Sequence, residues 1–222
     1  MDNKELIKKY PFLLPRNVFT GKPQEDYDYS YNELEVSIPD GWWKAFGLAW
    51  CEDFKNCLVE AGINPEKIMI MQAKEKYGQL RVYLSGCPKT WTEHEFAWEY
   101  ISEHTCIFCG RFPVPMRDDG WQSPYCDDCF KKQHPDSPQE KIDNWTIDDP
   151  FNGRLYEFLT YRTYENDDIT EHYIDMKPYY EKIGWNYHPE DLVSLGELKA
   201  YKAEMEIERL DGSEDDSLNE TK

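Results

Sequence analysis

The chain has 222 residues, 40% of them hydrophobic and 15% aromatic, enough to bury one substantial core or two small ones. It carries 44 acidic against 25 basic residues, a net charge of −19, and such a surface repels phosphate backbones and disfavours direct nucleic-acid binding. No run of about 18 apolar residues is present, and Met1-Asp2-Asn3-Lys4-Glu5 lacks the apolar core of a signal peptide, so the expectation is a cytoplasmic protein with no membrane span. From Glu190 onward 11 acids and 4 bases give −7, which leaves −12 for the first 189 residues. The acidity is therefore spread along the chain. It suits a basic partner; otherwise it simply keeps the protein soluble.

Residues 1–40 are rich in Tyr, Pro and acid and show little periodicity, which predicts an extended arm whose aromatics pack over the next elements. Its Tyr27, Tyr29 and Tyr31 are candidate partner-contact residues. Over residues 41–134 the expectation is an α+β core. A helix from Asp40 to Ala61 carries Trp43, Phe46, Trp50, Phe54, Cys57, Leu58 and Ala61 at steps of three or four, with Gly62 as its stop. Residues 68–73 and 80–84 then read as two strands of a hairpin packed on that helix, joined by a charged turn over Lys74 to Gly78. Lys74, Glu75, Lys76, Tyr77 and Arg81 concentrate there, either as a local anion or partner contact or as a solvated hairpin end with internal ion pairs. Thr92 and Glu95 form a capping box for a helix to about His104, with Phe96, Tyr100 and Ile101 on its buried side.

Cys106-Ile-Phe-Cys109 and Cys126-Asp-Asp-Cys129, sixteen residues apart, fit a four-thiolate zinc pattern in which each pair supplies two sulfurs to one tetrahedral ion. Gly110 suits a turn after the first pair, residues 111–125 read as a hairpin around Asp118-Asp119-Gly120, and a short helix follows from Cys126 to Gln133. Knuckle, hairpin and helix make a treble-clef-like module. The alternative is four buried or disulfide-bonded cysteines. Four protein ligands close the coordination sphere, so one structural Zn²⁺ is expected. The remaining Cys51, Cys57 and Cys87 are an odd set, as in a reducing compartment. His94 and His104, beside a complete set of cysteine ligands, read as surface histidines.

Residues 135–140 form a linker candidate. Residues 141–210 hold a hairpin around Asn166-Asp167-Asp168, a short helix from Asp175 to Ile183 stopped by Gly184, and a final helix capped by Ser194 and Glu197. Residues 211–222 read as a disordered acidic tail. The fold class is thus α+β, with small antiparallel hairpins packed on helices and a zinc module.

Lys74-Glu-Lys-Tyr-Gly-Gln-Leu-Arg-Val-Tyr83, the Gly-Trp-rich helix before it and the Cys-x-x-Cys-Gly to Gly-Trp-x-x-x-Tyr-Cys-Asp-x-Cys module after it resemble an uncharacterised family of small proteins encoded mainly by bacteriophages and prophages. Tyr10-Pro-Phe-Leu-Leu-Pro-Arg and Tyr27-Asp-Tyr-Ser-Tyr are similar to the form found in phages of Gram-positive hosts. The resemblance covers residues 5–133 and implies a phage origin, a host bacterial cytoplasm and a zinc module, but no reaction. The C-terminal third reads as an addition outside it.

Three functions follow as expectations. The first is an acidic, zinc-stabilised protein that binds and modulates, by inhibition, a host protein such as a nucleic-acid-binding defence factor, with aromatic anchors and acidic steering. The second is a nucleic-acid-binding zinc module, although Arg111, Arg117, Lys131 and Lys132 are matched there by Asp118, Asp119, Asp127 and Asp128. The third is an enzyme. Residues 110–125 contain no His for a nuclease centre, and the chain has no P-loop, GxSxG or HExxH motif.

Overall fold

A computed structural model describes residues 1–118, 120–137, 151, 153–165 and 168–216, with side chains to residue 206 except those of residues 118 and 165. It is a mixed α+β structure of helices and two-stranded sheets, in two compact units: Met1–Asp149 with Tyr179–Trp185, and Pro150–Pro178 with Asn186–Lys222.

The first unit begins with a helix where an extended arm was expected. Asp2 caps α1 (Asn3–Lys9) through a capping box with Glu5, and the helix buries Leu6 and Ile7. The signal is the Asp-x-x-Glu spacing at the extreme N-terminus, which satisfies two otherwise unpaired N–H groups. A 3-10 turn, Pro11–Leu13, then sets Phe12 against Trp50 and Phe54 at centroid distances of 6.1 and 5.0 Å, so the expected packing of the arm's aromatics on the next helix is present. After α2 (Glu33–Ser37), the long aromatic helix consists of α3 (Asp40–Trp42), a π turn over Trp43–Gly47 and α4 (Leu48–Glu60). The wider π turn shifts the apolar stripe, so Trp42 and Cys51 join the core while Trp43 is half-buried and Ala61 exposed.

Strands β1 (Ile70–Lys76) and β2 (Gln79–Leu84) form an antiparallel hairpin. The expected five-residue charged turn is only Tyr77-Gly78, with φ of 54° and 79°, the double positive-φ geometry of a tight hairpin. Lys74, Glu75 and Lys76 belong to β1. The hairpin lies along α5 (Trp91–Glu103) through β2: Leu80 N–H donates to Ser102 Oγ at 2.8 Å, and Arg81 pairs with Glu99. Thr90, not Thr92, is the N-cap of α5, without a side-chain capping bond; the N–H groups of Trp91 and Thr92 already donate to Pro88 O and Lys89 O at 2.9 and 3.3 Å. Trp98 rather than Phe96 lies in the core, and Phe96 is exposed. The rings of Trp50, Phe54 and Trp91 join α4 and α5 at 4.6–5.5 Å.

An acid sits inside this aromatic core. Asp53, 6% exposed, accepts hydrogen bonds from Trp98 Nε1 at 2.9 Å and from Lys182, and meets His94 Nδ1 at 2.8 Å. His94, read as a surface histidine, is thus spent on Asp53 and stacks on Trp91. Burial opposes the charge on Asp53, but His94, Lys182 and Trp98 outweigh it and hold the carboxyl below its usual range. A depressed folded-state value means that this carboxylate stabilises the fold at neutral pH, and that the contribution fades as pH falls below about 4. Asp53→Asn should lower stability by about 2 kcal/mol at pH 7 and flatten its loss in acid, as read from denaturant melts between pH 7 and pH 3.

In the second unit, the described parts of the chain form β5 (Leu155–Tyr156), which pairs in parallel with β8 (Leu192–Val193), and the antiparallel pair β6 (Phe158–Glu165) and β7 (Asp168–Asp175). The parallel pair has no signature at two residues per strand. Helix α7 (Lys177–Lys182) follows β7 in the chain, its residues from Tyr179 on belonging to the first unit, and α8 (Leu195–Asp216) opens with the expected Ser194–Glu197 capping box. The last helix runs past Leu210, so residues 211–216 are helical where a disordered tail was expected. Residues 217–222, the linker residues 138–140 and the turn residues 166–167 lie outside the described residues. No helix among the described residues is long and apolar enough to cross a membrane.

Candidate metal centre

The backbone after α5 brings four distant sulfurs together. Residues 106–110 form a tight knuckle, closed by Gly110 N–H donating to Cys106 O at 3.0 Å, with Gly110 at φ 78°. Then β3 (Met116–Asp118) pairs with β4 (Gln122–Pro124), Asp119 of the expected turn lying outside the described residues. Cys126 is the N-cap of α6 (Asp127–Gln133) and Cys129 lies in its first turn. Knuckle, hairpin and helix therefore follow in treble-clef order.

The sulfur atoms of Cys106, Cys109, Cys126 and Cys129 all lie within 4.8 Å of one another, with Cys109 and Cys126 at 3.6 Å. Four sulfurs at about 2.3 Å from one tetrahedral ion are separated by about 3.8 Å, so the cluster fits one metal ion such as zinc. Cys106 and Cys126 are buried, Cys129 is half-buried and Cys109 faces outward. Burial resists charge on Cys106, but the N–H groups of Cys109, Cys126 and Phe108 bring its thiol down to about 7. Burial pushes Cys126 and Cys129 up; the sulfurs of Cys109 and Cys106 add to this at both, while the N–H and thiol of Cys129 oppose it at Cys126. Four thiolates repel one another unless a cation sits between them, and a divalent ion supplies that charge.

Two glycines lock the knuckle to the long helix. A Cβ at Gly41 would lie 2.2 Å from Cys106 O, and one at Gly110 would lie 2.7 Å from Gly41 O. The approach is sealed by Gly41 N–H donating to Ile107 O at 2.8 Å and Trp42 Nε1 donating to Thr105 O at 2.8 Å. Gly41→Ala should therefore destabilise the protein by about 1–3 kcal/mol, the range for overpacking, which a urea melt would measure. Arg117, counted among the cations of the module, is 1% exposed; it lies over the Phe130 ring at 5.0 Å and pairs with Asp127. The module also reaches the C-terminal third, where Phe112 meets Tyr180 and Trp185 at 6.1 and 5.2 Å.

The other candidate residues fall in two places. Arg81 bonds Glu99 and Gln79, Glu75 accepts the Gly78 N–H at 2.6 Å, and Lys74 bonds Gln72 at 2.9 Å. Lys76 lies over Tyr77, which stacks on Trp121 of the module. Tyr27, Tyr29 and Tyr31 form their own ring cluster at 4.9 and 5.3 Å. His104, half-buried, faces Tyr100 O through Nδ1, and the group of metal-ligating side chains found among the described residues contains the four cysteines and neither His94 nor His104. Sequence alone missed Trp121, whose neighbour across the two hairpin tips is a non-local partner. Comparisons with protein-family models, curated proteins and solved structures find no match for this chain.

Proposed function

We propose that this is a phage-encoded, acidic protein in which one structural Zn²⁺ staples a binding surface, and that it acts by binding and inhibiting a basic host protein, such as a nucleic-acid-binding defence factor. The observation that carries the reading is the closed cluster of four cysteines, interlocked with the core through Gly41 and Gly110. Such a centre offers a metal no open position for substrate, so it supports a scaffold. The module and the hairpin beside it leave large rings partly in water: Tyr77, Phe108 and Trp121. Rings of this kind anchor interfaces, while a net charge of −19 steers and selects a basic partner.

Affinity capture from nuclease-treated host lysate tests this. One basic host protein retained at stoichiometric amounts, with its activity reduced in the complex, is the expected result. Retention of nucleic acid alone would contradict it.

A further inference from the structure

Tyr77 and Trp121 meet across the tips of two hairpins, with ring centroids 5.4 Å apart and planes inclined by 28°; each residue is 56% exposed. Tyr77 holds φ at 54°, a region in which a bulky residue is strained and Asn or Gly is at ease. A ring is thus displayed where the turn itself has no use for one. Strain of this kind concentrates at functional positions. Beside the stack lies a concavity of about 320 Å³ lined by Tyr77, Gln79, Glu103, His104, Met116 and Gln122. That is the low end of ligand pockets, a size suited to one side chain.

Glu103 brings one carboxylate into the lining of the concavity. Glu95, Glu99 and Glu103 recur every four residues on α5, so their carboxylates share one ridge. Arg81 pairs with Glu99, and Gln79 donates a neutral hydrogen bond to Glu103. Burial pushes all three acids up, and the charge on Glu99 adds to this at Glu95 and Glu103. The stack already accepts one cation, since Lys76 Nζ lies 5.5 Å from the Tyr77 ring centre. Trp121, 56% exposed, presents the other ring of the stack.

We propose that the Tyr77–Trp121 stack and Glu103 form the docking point for an arginine side chain on a basic segment of the protein partner. The guanidinium plane stacks on Trp121, and its N–H fork reaches the Glu103 carboxylate. Arginine fits better than lysine because only a planar, forked cation can use a ring face and a carboxylate together. The proposal rests on the protein-binding reading above and names the chemistry of its central contact.

The test is calorimetric titration of the full-length, zinc-loaded protein with hexa-arginine, hexa-lysine and oligo(dA) at physiological salt. Hexa-arginine should bind about tenfold more tightly than hexa-lysine, and Trp121→Ala and Glu103→Gln should each weaken it about tenfold. The indole N–H resonance of Trp121 should shift during the titration, a readout that needs no variant. Equal binding by Trp121→Ala, or an unmoved Trp121 resonance, would overturn the site and leave only diffuse charge attraction. Binding of oligo(dA) that depends on Trp121 would overturn it in favour of a nucleobase. The two proposals fail separately. A host protein captured equally by wild type and Trp121→Ala removes only the docking point; a wild type that captures no protein removes the binding function while the peptide titration still decides the site.

Discussion

Cys126→Ser should strip the metal from the protein and lower its stability by several kcal/mol, because binding at a four-cysteine site is itself folding free energy. Three effects combine at this position. One of four thiolates is lost, the N-cap of α6 changes, and the sulfur 3.6 Å from Cys109 is replaced by a harder, smaller atom. With the metal gone, the hydrogen bonds that tie the knuckle to α3, Gly41 to Ile107 and Trp42 to Thr105, lose the frame that aligns them. Trp42 is buried, and Thr105 Oγ1 donates to the carbonyl of buried Ile101 at 2.7 Å, so the loss should spread into the core. Metal analysis together with a thermal melt checks this. A variant without metal that melts where the wild type does would show that the cluster is not a folding element.

A chain ended after Ser137 should fail to fold stably, although it keeps every cysteine and the β1–β2 hairpin. Residues Tyr179–Trp185 belong to the first unit, where they close its core. Tyr180 is fully buried against Phe112 and Trp185, Tyr179 packs edge-on against Trp98 at 5.6 Å, and Lys182 binds Asp53. Truncation removes these rings and leaves Asp53 charged beneath an opened surface. A single Tyr180→Ala change should cost about 3–5 kcal/mol, as for other large buried aromatics. Circular dichroism and proteolysis of the truncated chain, with the point variant as the graded control, read the effect. A truncated chain as protease-resistant as the full one would contradict this account.

The four-cysteine cluster was legible because its chemistry depends on local spacing: two residues within each cysteine pair are enough to specify a knuckle and a helix start. The β1–β2 hairpin was legible from alternation and the other two from their turn residues, and the α+β class followed. Pairings between distant residues were not. Asp53 reads as one more exposed acid on an amphipathic helix until Lys182, 129 residues away, is placed on it. Arg117 reads as a surface charge until Phe130 and Asp127 cover it. Gly41 looks like a poor helix residue, and only the knuckle backbone 2.2 Å from its absent Cβ explains it. Tyr179–Trp185 was not legible as part of the first unit for the same reason, since this ring segment has no local signature of the core it completes. The helix at the N-terminus was a different kind of oversight: Asp2 and Glu5 announced it, but the prolines and tyrosines downstream outweighed a four-residue signal.

X-ray absorption at the zinc edge on purified protein tests the central claim most directly. Four sulfur neighbours at about 2.3 Å and no oxygen or nitrogen in the coordination sphere is the result expected of a closed structural centre. Three or fewer sulfurs with a light-atom ligand would mark an open, reactive metal site, and protein lacking metal with its four cysteines oxidised would remove the staple altogether.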